Sequence, residues 1–172
     1  MLFFKLFSRL PLGILYLFSD FFYLIARYVI RYRKSVIDEN LFHAFPEKSE
    51  KERKSIRNKF YRNFTDSIAE TIKSLTISKA ELSRRFTITN QDFLDQEVKN
   101  GKSVLLLAGH FFNWEFANWG AAKYGKYPFI GVYMPLSNRY FDRLILDMRK
   151  RYGSIMIPAT NFKNQFHQYA TK

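Results

Sequence analysis

Residues 10 to 30, LPLGILYLFSDFFYLIARYVI, form an almost wholly apolar stretch about as long as a helix needs to cross a bilayer. RYRK follows at once, and the stretch is crowded with aromatics: Tyr16, Phe18, Phe21, Phe22, Tyr23 and Tyr28. Arg27, Arg31, Arg33 and Lys34 make a juxtamembrane cluster of the kind that faces an anionic cytoplasmic leaflet. Asp20 and Arg27 are expensive in hydrocarbon unless they snorkel or face protein, so two placements stand open, across the bilayer or within its interface. A cleaved signal peptide fits less well, because no small-x-small site follows the apolar run and the basic cluster comes after it. The stretch therefore predicts a membrane anchor over residues 1–33.

A length of 172 residues leaves room for about one domain and an appendage. With 19 Phe, 11 Tyr and 2 Trp the chain has ample material for a core, which excludes disorder for most of it. The absence of cysteine removes disulfide frameworks, thiolate zinc sites and cysteine nucleophiles together. Neither a metal-ligand motif nor a phosphate-loop or dinucleotide fingerprint occurs, so the sequence implies no metal and no cofactor. Lys plus Arg number 28 against 15 Asp plus Glu, a formal charge of +13 that favours a polyanionic partner. Charge alone does not choose between nucleic acid, anionic lipid and an acidic protein. A nucleic-acid-binding domain would rest on charge and aromatics only, and the anchor points instead to a membrane partner and no nucleic acid.

Residues 34–85 read as a helical segment. Two helices split at Pro46, and Ser49 with Glu52 gives the second a capping box. In that helix Ile56, Phe60, Phe64, Ile68 and Ile72 recur at four-residue spacing, with Tyr61 and Leu75 widening an apolar stripe expected to pack on something below it. Ser78 and Glu81 form a second capping signature, and FTITN reads as a short strand. Over 86–172 strands and helices alternate: QDFLDQEVKNG is a helix, SVLLLAG a buried strand, and NWEFANWGAAKYG a helix. PFIGVY then reads as a strand, NRYFDRLILDMRKRYG as a helix, SIMIP as a strand, and TNFKNQFHQYATK as the start of another helix. This alternation predicts the α/β class with a parallel sheet and flanking helices.

In an open α/β sheet ligands sit beyond the carboxyl ends of the strands, and His110 lies just after SVLLLAG. Asn113 is a candidate N-cap, which puts Glu115 in the first helical turn, on the other side of the strand-to-helix turn from His110. A neutral imidazole held by a carboxylate is the usual general base for taking a proton from an alcohol near neutral pH. The plainer reading stands beside it, with His110 closing a strand and Glu115 favouring the helix dipole. His43 and His167 fall within amphipathic helices and read as surface or packing residues. Arg143, Arg149, Lys150 and Arg151 crowd one helix with Asp142 and Asp147, either as a solvated face or as a source of phosphate-binding groups beside the base.

GHFFNWE, residues 109 to 115, resembles the His-x4-Asp/Glu block of the lysophospholipid acyltransferase superfamily, in its lipid A biosynthesis late acyltransferase (lauroyl and myristoyl transferase) branch. YRKSVIDENLFHAFPEKSEKERKSIRNKFYRNF resembles the region after that branch's N-terminal membrane helix, and GVYMPLSNRYFDRLILDMRKRYG resembles its second block. The resemblance implies a glycerolipid acyltransferase-like fold, with His110 as general base, Glu115 as its partner, and Arg149, then Arg151, as substrate-binding arginines, Asn113 lying within the block. It implies no cofactor, acyl carrier protein as donor, and a lipid A precursor or related membrane lipid as acceptor. The setting it implies is the bacterial inner membrane with the catalytic part on the cytoplasmic face. Met134 stands where many relatives carry arginine. Relatives also continue through further strands, so the resemblance implies a truncated chain, whose alternative function is that of an inactive membrane-associated lipid- or carrier-binding remnant.

Overall fold

A computed structural model of the chain describes residues 2–107, 109, 113–124 and 128–170. In chain order its helices are α1 (Leu2–Phe7), α2 (Leu12–Leu24) continued by a π-helical turn over Ile25–Val29, α3 (Lys34–Ala44), α4 (Glu50–Ser74), α5 (Lys79–Arg85) and α6 (Gln91–Lys99). There follow α7 (Trp114–Tyr124), β1 (Ile130–Tyr133), α8 (Arg139–Lys150), β2 (Ile155–Pro158), a 3-10 turn (Ala159–Asn161) and α9 (Phe162–Ala170). The chain divides into two compact units, one of Phe4–Lys73 and one of the described residues of Met1–Phe3 and Ser74–Lys172.

In the first unit α2 and α4 lie antiparallel, joined by polar pairs. Tyr16 Oη donates to Glu70 Oε1 at 2.7 Å, Ser19 Oγ to Asp66 Oδ1 at 2.6 Å, and Arg27 Nε to Asn58 Oδ1 at 2.6 Å. Lys73 Nζ reaches back to the Leu10 carbonyl at 2.9 Å. Leu12, Leu15 and Ala69 form the apolar part of this interface. The buried row of α4 is Tyr61, Thr65, Ala69 and Lys73, one position along from the expected stripe, and Phe60 and Ile68 are exposed. Helical periodicity finds the greasiest row, but α4 gives α2 a row of small and polar residues because polar pairs join the two helices. Leu12–Val29 is long and apolar enough to cross a membrane, and only 22% of it is buried.

Arg31 and Arg33, both with positive φ, turn the chain from the π-helical turn into α3. The capping box forms as read: the Ser49 amide donates to Glu52 Oε2 at 2.8 Å and the Glu52 amide to Ser49 Oγ at 3.3 Å. Asp38 ties α3 to α4, paired with Lys34 at 2.8 Å and with Arg57. Burial raises the Asp38 pKa, but hydrogen bonds from Lys34 and Arg57 and their charges outweigh it, leaving the carboxyl below its ordinary value. Hydrogen bonds from the Ser49 hydroxyl and amide likewise lower Glu52. A carboxylate with a lowered folded pKa contributes stability that is present above its unfolded pKa of about 4 and is lost as pH falls through the folded value. Asp38→Asn therefore melts below wild type at pH 6 in detergent, and the gap closes as pH falls from about 4 through the lowered folded value. A gap unchanged by pH would exclude the ion pairs as its source.

The second unit is built around Ile77, Leu82, Phe116, Trp119 and Met148, with Leu75, Phe86, Ile145 and Tyr152 packed against them. Trp119 is fully buried, and its ring meets Tyr152 edge-on at 4.9 Å between centroids. α7 approaches Phe86 so closely that a Cβ on Gly120 would stand 2.1 Å from the Phe86 ring. Overpacking of that kind costs about 1–3 kcal/mol, against about 1 kcal/mol gained in helix propensity. Gly120→Ala therefore lowers the melting midpoint by a few degrees, and a rise would show that Phe86 has room to move.

Among the described residues the sheet is two-stranded. β1 and β2 are parallel with Ile130 opposite Ile155 and Tyr133 opposite Pro158, and α8 makes the crossover. The chain is broadly α/β but mostly helical. PFIGVY and SIMIP hold as strands; FTITN does not, since residues 86–88 have no strand pairing and 89–90 turn into α6. SVLLLAG is also corrected. Its described residues 103–107 and 109 form no strand, and Leu105 and Leu107 are 82% and 88% exposed. An apolar run supplies the side chains of a buried strand, but a strand exists only through a ladder partner, and the described β1 ladder is made with β2.

Candidate active site

The candidate site lies where the first turn of α7 meets the last turn of α8. Asn113 Oδ1 accepts the Phe116 amide at 3.2 Å, and its carbonyl accepts from Phe116 and Ala117, so the expected N-cap is present. That cap starts α7 at Trp114 and places Glu115 in the first turn, with its side chain 5% exposed. Asn138 caps α8, its Oδ1 accepting the amides of Tyr140 and Phe141, and the helix runs far enough to put Arg149 in its last turn.

Arg149 and Glu115 meet there. Arg149 Nε lies 3.0 Å from Glu115 Oε2 and 3.2 Å from Oε1, and Nη2 lies 2.7 Å from Oε1. Two donors from one planar guanidinium fix both the distance and the orientation of the carboxylate. The arginine is itself held at its backbone, because Asn118 Nδ2 donates to the Arg149 carbonyl at 3.2 Å and Trp119 Nε1 to the Met148 carbonyl at 3.1 Å. One face of α7 thus supplies the carboxylate, an amide donor and an indole donor to the end of α8. Sequence reading singled out Glu115 and Arg149 but missed Asn118 and Trp119, although their i+3 and i+4 spacing from Glu115 puts all three on one face.

Arg151 is placed differently. Its Nη1 donates to the Ser74 carbonyl at 2.8 Å and its Nη2 to the Ile77 carbonyl at 3.3 Å, with the guanidinium over the rings of Trp119 and Tyr152. In this position it anchors the segment that leads into α5, beside Tyr152, whose hydroxyl donates to the same Ile77 carbonyl. Tyr133, at the carboxyl end of β1, is a neighbour the sequence did not single out. Burial and the Asp142 charge push its phenol pKa up, and the Arg149 charge opposes them. Asp142 also accepts the Leu136 amide at 2.8 Å, fixing the turn between β1 and α8. His110, the expected base, lies outside the described residues, as do Phe111 and Phe112.

The sequence profile of the bacterial lipid A biosynthesis acyltransferase family matches residues 1–170. No curated protein matches the chain, and no solved structure matches it.

Proposed function

The chain belongs to the bacterial lipid A biosynthesis acyltransferase family, and from that premise we propose that it transfers a fatty acyl chain from acyl carrier protein to a hydroxyl of a lipid A precursor or related membrane lipid. The observation that carries the reading is the fixed Glu115 carboxylate, buried at the start of α7 and gripped by Arg149. A carboxylate has about four acceptor positions, so Glu115 can take the Arg149 donors and still accept an N–H from His110 five residues earlier. His110 then removes the proton of the acceptor hydroxyl, the alkoxide oxygen attacks the thioester carbonyl, and the carrier thiol leaves with a proton. Glu115 keeps the imidazole in the required tautomer and stabilises the imidazolium as it forms, and Arg149 keeps Glu115 in place. Arg149, beside Glu115, is also the arginine proposed to recognise substrate phosphate. No acyl-enzyme is required, which suits a chain without cysteine.

The formal charge of +13 supports encounter with an acidic carrier protein and with anionic lipid on the cytoplasmic face of the inner membrane. The test is transfer of labelled acyl groups from acyl carrier protein to a lipid A precursor by the purified chain in detergent-lipid micelles. Labelled product is expected. Binding to lipid without any transfer would overturn the reading in favour of a non-catalytic lipid-binding protein.

A further inference from the structure

From the α2–α4 pair we propose that Leu12–Val29 lies in the interface of an anionic bilayer instead of crossing it. This placement does not depend on the acyl-transfer reading. Two faces of the helix are sharply different. Leu12, Leu15, Tyr16, Ser19, Tyr23 and Arg27 recur at three- and four-residue steps on the side turned to α4, where Tyr16, Ser19 and Arg27 are tied to Glu70, Asp66 and Asn58. Ile14, Leu17, Phe18, Phe21 and Tyr28 occupy the opposite side, and all are exposed. A soluble amphipathic helix puts its apolar side on the protein and its polar side in water. Here the polar contacts face the protein and the apolar side faces out.

The partner helix decides between spanning and lying flat. α4 runs antiparallel beside the whole stretch, joined to it at three levels, so any depth reached by α2 is shared by the middle of α4. At those levels α4 carries Arg62, Asp66 and Glu70, and Arg62 pairs with Asp20 of α2 at 3.7 Å with both side chains more than half exposed. Taking these charged groups to the bilayer midplane is costly, whereas a helix lying in the interface leaves them on the water side. The occupant of the apolar face follows from charge. Exposed Lys5 and Arg9 precede the stretch and exposed Arg31 and Arg33 follow it, so cations flank both ends of the greasy face, as a surface of anionic head groups requires.

Because the chain has no cysteine, single cysteines introduced into it can be labelled uniquely. Leu17→Cys, Phe21→Cys and Tyr28→Cys, spin-labelled and reconstituted in phosphatidylethanolamine–phosphatidylglycerol vesicles, are expected to report one shared shallow depth by oxygen and nickel-complex accessibility. A depth that is greatest at Phe21 and falls toward either end would mean a spanning helix and overturn the proposal. Labels that broaden one another without contacting lipid would place a second copy on the face and overturn it equally. Arg31→Gln with Arg33→Gln is expected to weaken binding to these vesicles by roughly tenfold while leaving the weak binding to phosphatidylcholine vesicles unchanged. Equal loss on both would remove the anionic surface as the partner.

Discussion

Replacing His110 with alanine lowers acyl transfer by about 10²- to 10⁴-fold, the span that a positioned general base supplies, with little change in the melting midpoint. An acceptor hydroxyl is a poor nucleophile at neutral pH, so removing the base leaves only binding and orientation to promote the reaction. Glu115→Gln keeps the size of the side chain at the start of α7 but removes the charge that favours an imidazolium, and a loss of similar size follows. The pH profile separates a chemical role from a structural one. Wild-type transfer rises with pH as an imidazole base becomes neutral, and residual transfer in His110→Ala lacks that rise. Unchanged turnover in either variant, or the same rise with pH in His110→Ala, would remove the dyad from the mechanism.

Arg149→Leu is the substitution with the largest expected effect on stability. It leaves the Glu115 carboxylate buried without the guanidinium that approaches it through Nε and Nη2. Breaking a buried ion pair from one side costs about 3–5 kcal/mol, which at this chain length corresponds to a fall of roughly 10 °C in the melting midpoint. Much of that cost is the stranded charge and not the lost attraction. Combining Arg149→Leu with Glu115→Leu should therefore recover most of the stability while transfer stays lost. The double-mutant cycle in thermal melts is the measurement. Additive losses would mean that the pair is not coupled, and an intact midpoint in Arg149→Leu alone would mean that Glu115 is not held by it.

Local signals in the sequence translated well into local structure. Ser49 and Glu52 form their reciprocal cap, Asn113 caps α7 and Asn138 caps α8, because each cap is decided by side chains and amides within three residues of one another. The strands PFIGVY and SIMIP were legible as short β-rich runs beside turn residues, and they pair with each other in parallel. Readings that needed to know a partner fared worse. SVLLLAG has the composition of a buried strand, yet its described residues are neither paired nor covered. The stripe of Ile56, Phe60, Phe64, Ile68 and Ile72 has the right period, but α4 turns its Tyr61, Thr65 and Ala69 row inward.

The site divides in the same way. Glu115 and Arg149 could each be singled out from sequence, one from its spacing after His110 and one from its match to a family block, but they stand 34 positions apart and nothing in either segment says that they touch. The match to a family block put Arg149 ahead of Arg151, two residues on, but said nothing of what either one touches. A helix turns about 100° per residue, so the end of α8 sends one to a carboxylate and the other to the carbonyls of Ser74 and Ile77. By itself the sequence determined the family, the caps, the positions of most helices and an apolar stretch too long to ignore. Only the tertiary structure decided which arginine holds Glu115 and which face of α2 is left apolar and exposed, since both depend on groups distant in sequence that meet only once the helices have packed.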